Sequence, residues 1–291
     1  MMEKYKNIIE NITDIINKNG IVYYKNKWKK PVLKKNYKNK KEFMKDINKY
    51  VKSYHNHSSI SMKLLNNTTT SSKKKPKFYY DNKTKIGRII FYEYFLDFND
   101  KYNKCPHYIK IISEVHNTIN NWNKQNMKGL IIDLRKHKGG WYQPFVVSLS
   151  SILNNNTLFS FSNKKVKKTD KNWINYSNNT IIYNSMLRNK LNIKIPIAII
   201  IGKKTASSGE ICASIFYRNN KYIKIFGDNT YGKLSINNTF NILSNIQLHI
   251  PVSLLTSVDG KIHIKEHLEP DIYTNKPIFF AKKWILENDL Y

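Results

Sequence analysis

Ser207 and Ser208 stand at a change of pattern. In "KKTASSGEICASIF" (Lys203–Phe216) they follow the strand-like run "IPIAIII" and open an apolar stretch with helical character. A serine at a strand-to-helix turn meets the positive end of the helix dipole, where unpaired N–H groups can hold an oxyanion. Ser207 to Glu210 also spell a Ser-x-x-Glu capping box, which starts a helix without any chemistry. The hydroxyl becomes a nucleophile only beside a base. Lys233, preceded by glycine in "FGDNTYGKLSINNTF", is a candidate, since burial or nearby positive charge favours the neutral amine; its plain alternative is a solvated surface lysine. Upstream, "GLIIDLRKHKGGWYQP" ends an apolar run with Asp133, Arg135 and the pair Gly139–Gly140. Paired glycines let a backbone N–H approach a ligand closely, and they also serve an ordinary turn.

The elements that must position these residues alternate. "IGRIIFYEYFL", "GLIIDLR", "IPIAIII" and "YIKIFG" read as strands, the continuous apolar ones as strands buried on both faces. Helical spacing runs through "HYIKIISEVHNTINNWNKQ", after Pro144, and after Ser207. Strand–helix alternation predicts a mixed, mainly parallel sheet flanked by helices, an α/β fold. Residues 3–18 and Lys41 to about Tyr54 are two further helices, giving an N-terminal helical subdomain over 1–65. The polar, charged segment 66–85 reads as a linker, and 86–291 as the core. A polar insertion at 154–192 is a candidate lid, and "IQLHIPVSLLTSVDGKIHI" reads as a hairpin turning at Asp259–Gly260.

Composition narrows the function class. The 291 residues carry 50 Lys and Arg against 20 Asp and Glu, a net charge of +30, with 41% hydrophobic residues. Such a surface attracts anions, nucleic acid included. The basic residues are scattered singly, however, and Lys, Asn, Ile and Tyr are inflated together, as codon bias produces; no specific nucleic-acid partner is expected. Cys105 and Cys212 make neither a disulfide framework nor a metal site. With no leader-like or membrane-spanning stretch, the expectation is a soluble intracellular protein.

Four segments in order, "DLRKHKGG", "TASSGE", "TYGK" and "EPDI" (Glu269–Ile272), resemble the tail-specific, or C-terminal processing, serine peptidase family across roughly residues 86–275. The resemblance implies a crotonase/ClpP-like core, Ser207 as nucleophile and Lys233 as general base, with no metal or cofactor needed. It implies an oxyanion hole from the N–H groups of Ser207 and of Gly139 or Gly140, with Ser208 and Glu210 in supporting roles. No segment is available for a PDZ module, which makes the chain most similar to the subgroup that includes nisin-resistance proteins, as does "GGxxxP" at Gly139, Gly140 and Pro144. That subgroup pairs its serine with an N-terminal histidine. "SYHNHSSI" resembles its "DGHSS" element and points to His57, with His55 a weaker candidate. Two positions depart from the pattern: His137 stands where Asn is usual, and Arg218 falls where some members carry an acidic partner. The implied substrate is a peptide or unfolded protein, often taken near its C-terminus; the alternative is a non-catalytic peptide- or small-ligand-binding protein on the same scaffold.

Overall fold

β-branched and leucine-rich runs with no polar face need cover on both sides, and the chain supplies it with helices. The structure, a computed structural model, describes residues 2–20, 33, 37–62, 74–94, 106–149, 152, 157–163, 171–175, 195–216, 222–243, 245–256 and 267–288. It divides into two compact units, one of residues 68–159, 174–234 and 265–291, the other of 1–67, 160–173 and 235–264.

In the first of these, strands β1 (Lys77–Asp81), β2 (Ile86–Ile90), β3 (Gly129–Asp133), β4 (Ile197–Ile201), β5 (Ile223–Gly227) and β6 (Ile272–Tyr273) form one sheet in the order β6-β5-β4-β3-β2-β1. Every neighbour pair is parallel except β1 with β2. All five residues of β3 and all five of β4 are buried. One face carries Ile86, Ile131, Ala198, Ile200 and Phe226 against Ala281 and Ile285 of helix α1 (Pro277–Glu287). On the other face Trp122 of α2 (Pro106–Lys124) lies against Gly87 and stacks on Tyr80, 5.5 Å between ring centroids. Two short helices follow strand ends: α3 (Gln143–Leu149) and α4 (Ser208–Ser214). The segment expected as a linker, 66–85, therefore contains a strand. Its side chains alternate between exposed and half-buried, so no apolar run advertises it.

The second unit holds helices α5 (Met2–Asn19) and α6 (Lys40–Tyr54), as their periodicity predicts. They close over strands from far along the chain. β7 (Ser59–Met62) and β8 (Ser235–Leu243) both pair antiparallel with β9 (Ile246–Thr256). Ile8, Ile12 and Ile16 meet Phe43, Ile47 and Val51, and all pack with Ile242, Leu248 and Ile250. This subdomain is helical in sequence but α+β in structure, because its sheet comes from residues nearly 200 positions away. The hairpin expected to turn at Asp259–Gly260 lies outside the described residues there, as does most of 154–192 apart from the strands Thr157–Asn163 and Lys171–Asn175. No helix among the described residues is long and apolar enough to cross a membrane.

Candidate active site

β4 ends at Ile201, and the turn that follows is tied to the neighbouring strand end by one side chain. The Thr205 hydroxyl, fully buried, donates to the Leu134 carbonyl at 3.0 Å and accepts the Gly202 N–H at 3.1 Å. Asp133 and Arg135 hold the other side of this junction. The carboxylate of Asp133 takes Arg135 Nε at 2.9 Å and a second guanidinium nitrogen at 2.7 Å, which fixes the turn leaving β3.

Two residues on, Ser207 adopts φ 53° and ψ −118°, a left-handed conformation rare outside glycine. Backbone strain of this kind costs about 1–3 kcal/mol and persists only where the surroundings enforce it. Gly139 is the residue facing it. A Cβ built on Gly139, whose own φ is 130°, would lie 3.3 Å from Ser207 Cβ and 3.8 Å from Ser207 Oγ. Gly140 is not at the serine. It bridges to Tyr94, and a side chain there would strike the Tyr94 carbonyl. The structure thus separates the paired glycines into one that borders Ser207 and one that seats the loop.

Glu210 organises the rest. Its buried carboxylate accepts four hydrogen bonds: the Ser207 N–H (2.8 Å) and Lys233 N–H (2.7 Å) on Oε2, the Gly232 N–H (2.9 Å) and Thr230 hydroxyl (2.5 Å) on Oε1. Burial pushes its pKa up, and the four donors pull against that shift. Thr230 passes the connection on by accepting the Leu268 N–H at 2.8 Å, and Asp271 accepts the Ile225 N–H at 2.7 Å. Side-chain hydrogen bonds therefore join the first three sequence segments to one another, and the fourth is held beside them through Leu268, the residue before it, and through Ile225 of β5. Thr230 is the residue that sequence reasoning missed; its one signal is its place in "TYGK".

This arrangement corrects one expectation. The Ser207 N–H is not an oxyanion donor, because the capping-box glutamate takes it. The N–H groups of Gly139 and of Ser208, the first residue of α4, are taken by no protein acceptor among the described residues. The Ser208 hydroxyl is buried and also lacks a partner among the described residues.

Lys233 enters through its backbone. Its ammonium lies over the Tyr231 ring, 5.0 Å from the centroid, and no hydrogen bond joins it to Ser207 Oγ. His57 belongs to the other unit. There its Nδ1 meets Ser235 Oγ at 2.8 Å, its carbonyl accepts from Asn237 at 2.7 Å, and its N–H donates to His55 Nδ1 at 3.0 Å. His137 is fully buried between Tyr94 and Phe145. Its carbonyl accepts the Ala206 N–H at 3.1 Å and abuts Gly209, so the glycine loop is braced against the head of α4. Burial pulls the His137 ring down to about 4. Cys212, also buried, is a free thiol, while Cys105 and Arg218 lie outside the described residues. Among the described residues no three His, Cys, Asp or Glu side chains gather as a metal site.

Residues 97–274 match the sequence profile of Peptidase family S41. The chain belongs to this family. It is 31% identical over 166 residues to a nisin-resistance protein from Lactococcus lactis subsp. lactis, covering 56% of this chain and 51% of that protein. The chain thus spans about half the length of the curated relative it matches. A lipoprotein from Streptococcus agalactiae shares its fold at TM-score 0.74 and 24% identity, over 99% of this chain and 96% of that one. A peptidase-like protein from Parabacteroides merdae ATCC 43184, described as a putative peptidase, aligns at TM-score 0.61 and 13% identity over 97% and 94%. The S41 assignment and these folds accord with the mixed α/β core read from the sequence.

Proposed function

We propose that this S41 member is an active serine endopeptidase acting on peptides or unfolded proteins, with cleavage towards their C-termini. The observation that carries the reading is the strained Ser207 at the head of α4 with Gly139 against its side chain. In this mechanism Ser207 Oγ attacks the scissile carbonyl carbon and its proton passes to the base. The Gly139 and Ser208 N–H groups hold the tetrahedral oxyanion, at about 3 kcal/mol per donor. The base returns the proton to the leaving amine, and water then hydrolyses the acyl-enzyme.

Lys233 is the proposed base, since Glu210 anchors its backbone and that of Ser207 together. A second reading gives the role to His57. It is favoured by the Lys233 ammonium resting on an aromatic face and by the Ser235 bond that orients the imidazole. Kinetics of Ser207→Ala, Lys233→Ala and His57→Ala on an unstructured peptide decide it. Loss in the first two selects lysine; loss in the first and third selects histidine. If a serine-reactive phosphonate fails to label Ser207 while peptide still binds, the protein is a binding module and the peptidase reading fails.

A further inference from the structure

Parallel strands β3, β4 and β5 lie side by side, so the loops leaving their carboxyl ends share one edge of the sheet. Ligands of open α/β sheets bind at that edge. Each of the three loops that frame Ser207 there carries lysine. Lys136 and Lys138 flank His137 after β3, Lys203 and Lys204 precede Thr205 after β4, and Lys233 follows β5. The first four are exposed, whereas the acidic groups of the same loops are already committed. Asp133 is locked by Arg135, Glu210 is buried under four donors, and Asp228 pairs with Lys203 at 3.3 Å. Glu93, near Lys138, is bonded to Lys74 at 3.0 Å. The lysines after β3 and Lys204 are left to set the sign of the field at the site.

We infer that this rim selects carboxylate-bearing peptide segments, so that the preferred substrates carry negative charge next to the scissile bond. The inference rests on the peptidase reading for its substrate, although the binding it predicts does not need catalysis. A surface edge dominated by one sign of charge steers the opposite sign towards it, and steering of this kind raises association rates by about 10-fold or more at low salt. The Debye length shrinks from about 10 Å at 0.1 M salt to about 3 Å at 1 M, so the preference must fade over that range.

The test uses three unstructured peptides differing only in two residues beside the cleavage point: Asp, Asn or Lys. Each is made with a free and with an amidated C-terminus. At low salt kcat/KM should rank acidic over neutral by about 10-fold or more, with the basic peptide lowest. That ratio should collapse towards one at high salt and in the triple variant Lys136→Gln, Lys138→Gln, Lys204→Gln. A preference that follows Asp in both the free and the amidated peptides assigns the rim to acidic residues beside the scissile bond; one that follows the free terminus alone overturns the inference. Equal rates for all three peptides, or a ratio unchanged in the triple variant, overturn the inference. Fluorescence anisotropy of the same peptides on Ser207→Ala separates the two claims. Acid-selective binding without wild-type cleavage sinks the peptidase reading alone, and cleavage with charge-blind binding sinks this inference alone. Single-stranded DNA displacing the acidic peptide at far lower concentration would make the rim a nucleic-acid site and overturn it too.

Discussion

Ser207 and Lys233 donate their backbone N–H groups to the same oxygen of Glu210, at 2.8 and 2.7 Å. The two residues proposed for chemistry are thus held in register through a third side chain that itself reaches neither reacting atom.

Glu210→Gln should therefore cost both fold and activity. An amide presents a donor where the carboxylate accepts two N–H groups, and each buried group left unsatisfied costs about 1–3 kcal/mol. Urea unfolding should show a loss of at least about 2 kcal/mol, and peptide cleavage should fall with it.

The two glycines should separate function from stability. Gly139→Ala puts a methyl 3.3 Å from Ser207 Cβ and forces an alanine to φ 130°, so kcat should drop about 100-fold or more if its N–H serves the oxyanion. Gly140→Ala collides with the Tyr94 backbone and should lower the unfolding midpoint first. Equal effects of both on both readouts would remove Gly139 from the site.

His137 predicts an acid limb in stability. Its folded pKa of about 4 lies below the ordinary imidazole value of about 6.5. The unfolded chain therefore binds the extra proton, and stability contributed by the neutral buried ring is lost as pH falls from 6.5 towards 4. At pH 5 the loss amounts to ~2 kcal/mol. Denaturant titrations between pH 7 and 5 should show that slope in the wild type and a flatter one in His137→Asn.

Ser235→Ala tests the choice of base without touching either candidate. It removes the partner of His57 Nδ1. If histidine is the base, kcat should fall about 10-fold or more from the misoriented ring; under the lysine mechanism it should change little.

The strands buried on both faces were legible because burial leaves them no polar positions: Ile197–Ile201 and Gly129–Asp133 match their apolar runs. The edge strand Lys77–Asp81 was not, since an exposed face lets Lys77 and Tyr79 look like linker. Pairing between Ser59–Met62 and Ile246–His249 was hidden for another reason, as register across the chain leaves no local pattern. At the candidate site, residue types point to Ser207, Gly139 and Glu210, but they do not say who bonds whom. The capping box is legible in the sequence as a helix start, but its consequence for the Ser207 N–H lies in the four donors around Glu210, which only the fold assembles.

The link from Leu268 through Thr230 to Glu210 also fixes a time order for the nascent chain. Synthesis delivers the serine loop some sixty residues before the segment that completes its clamp. On the ribosome, the half-made protein therefore carries Ser207 and Glu210 before the Leu268 N–H that completes the Thr230 link, so the clamp closes only late in synthesis.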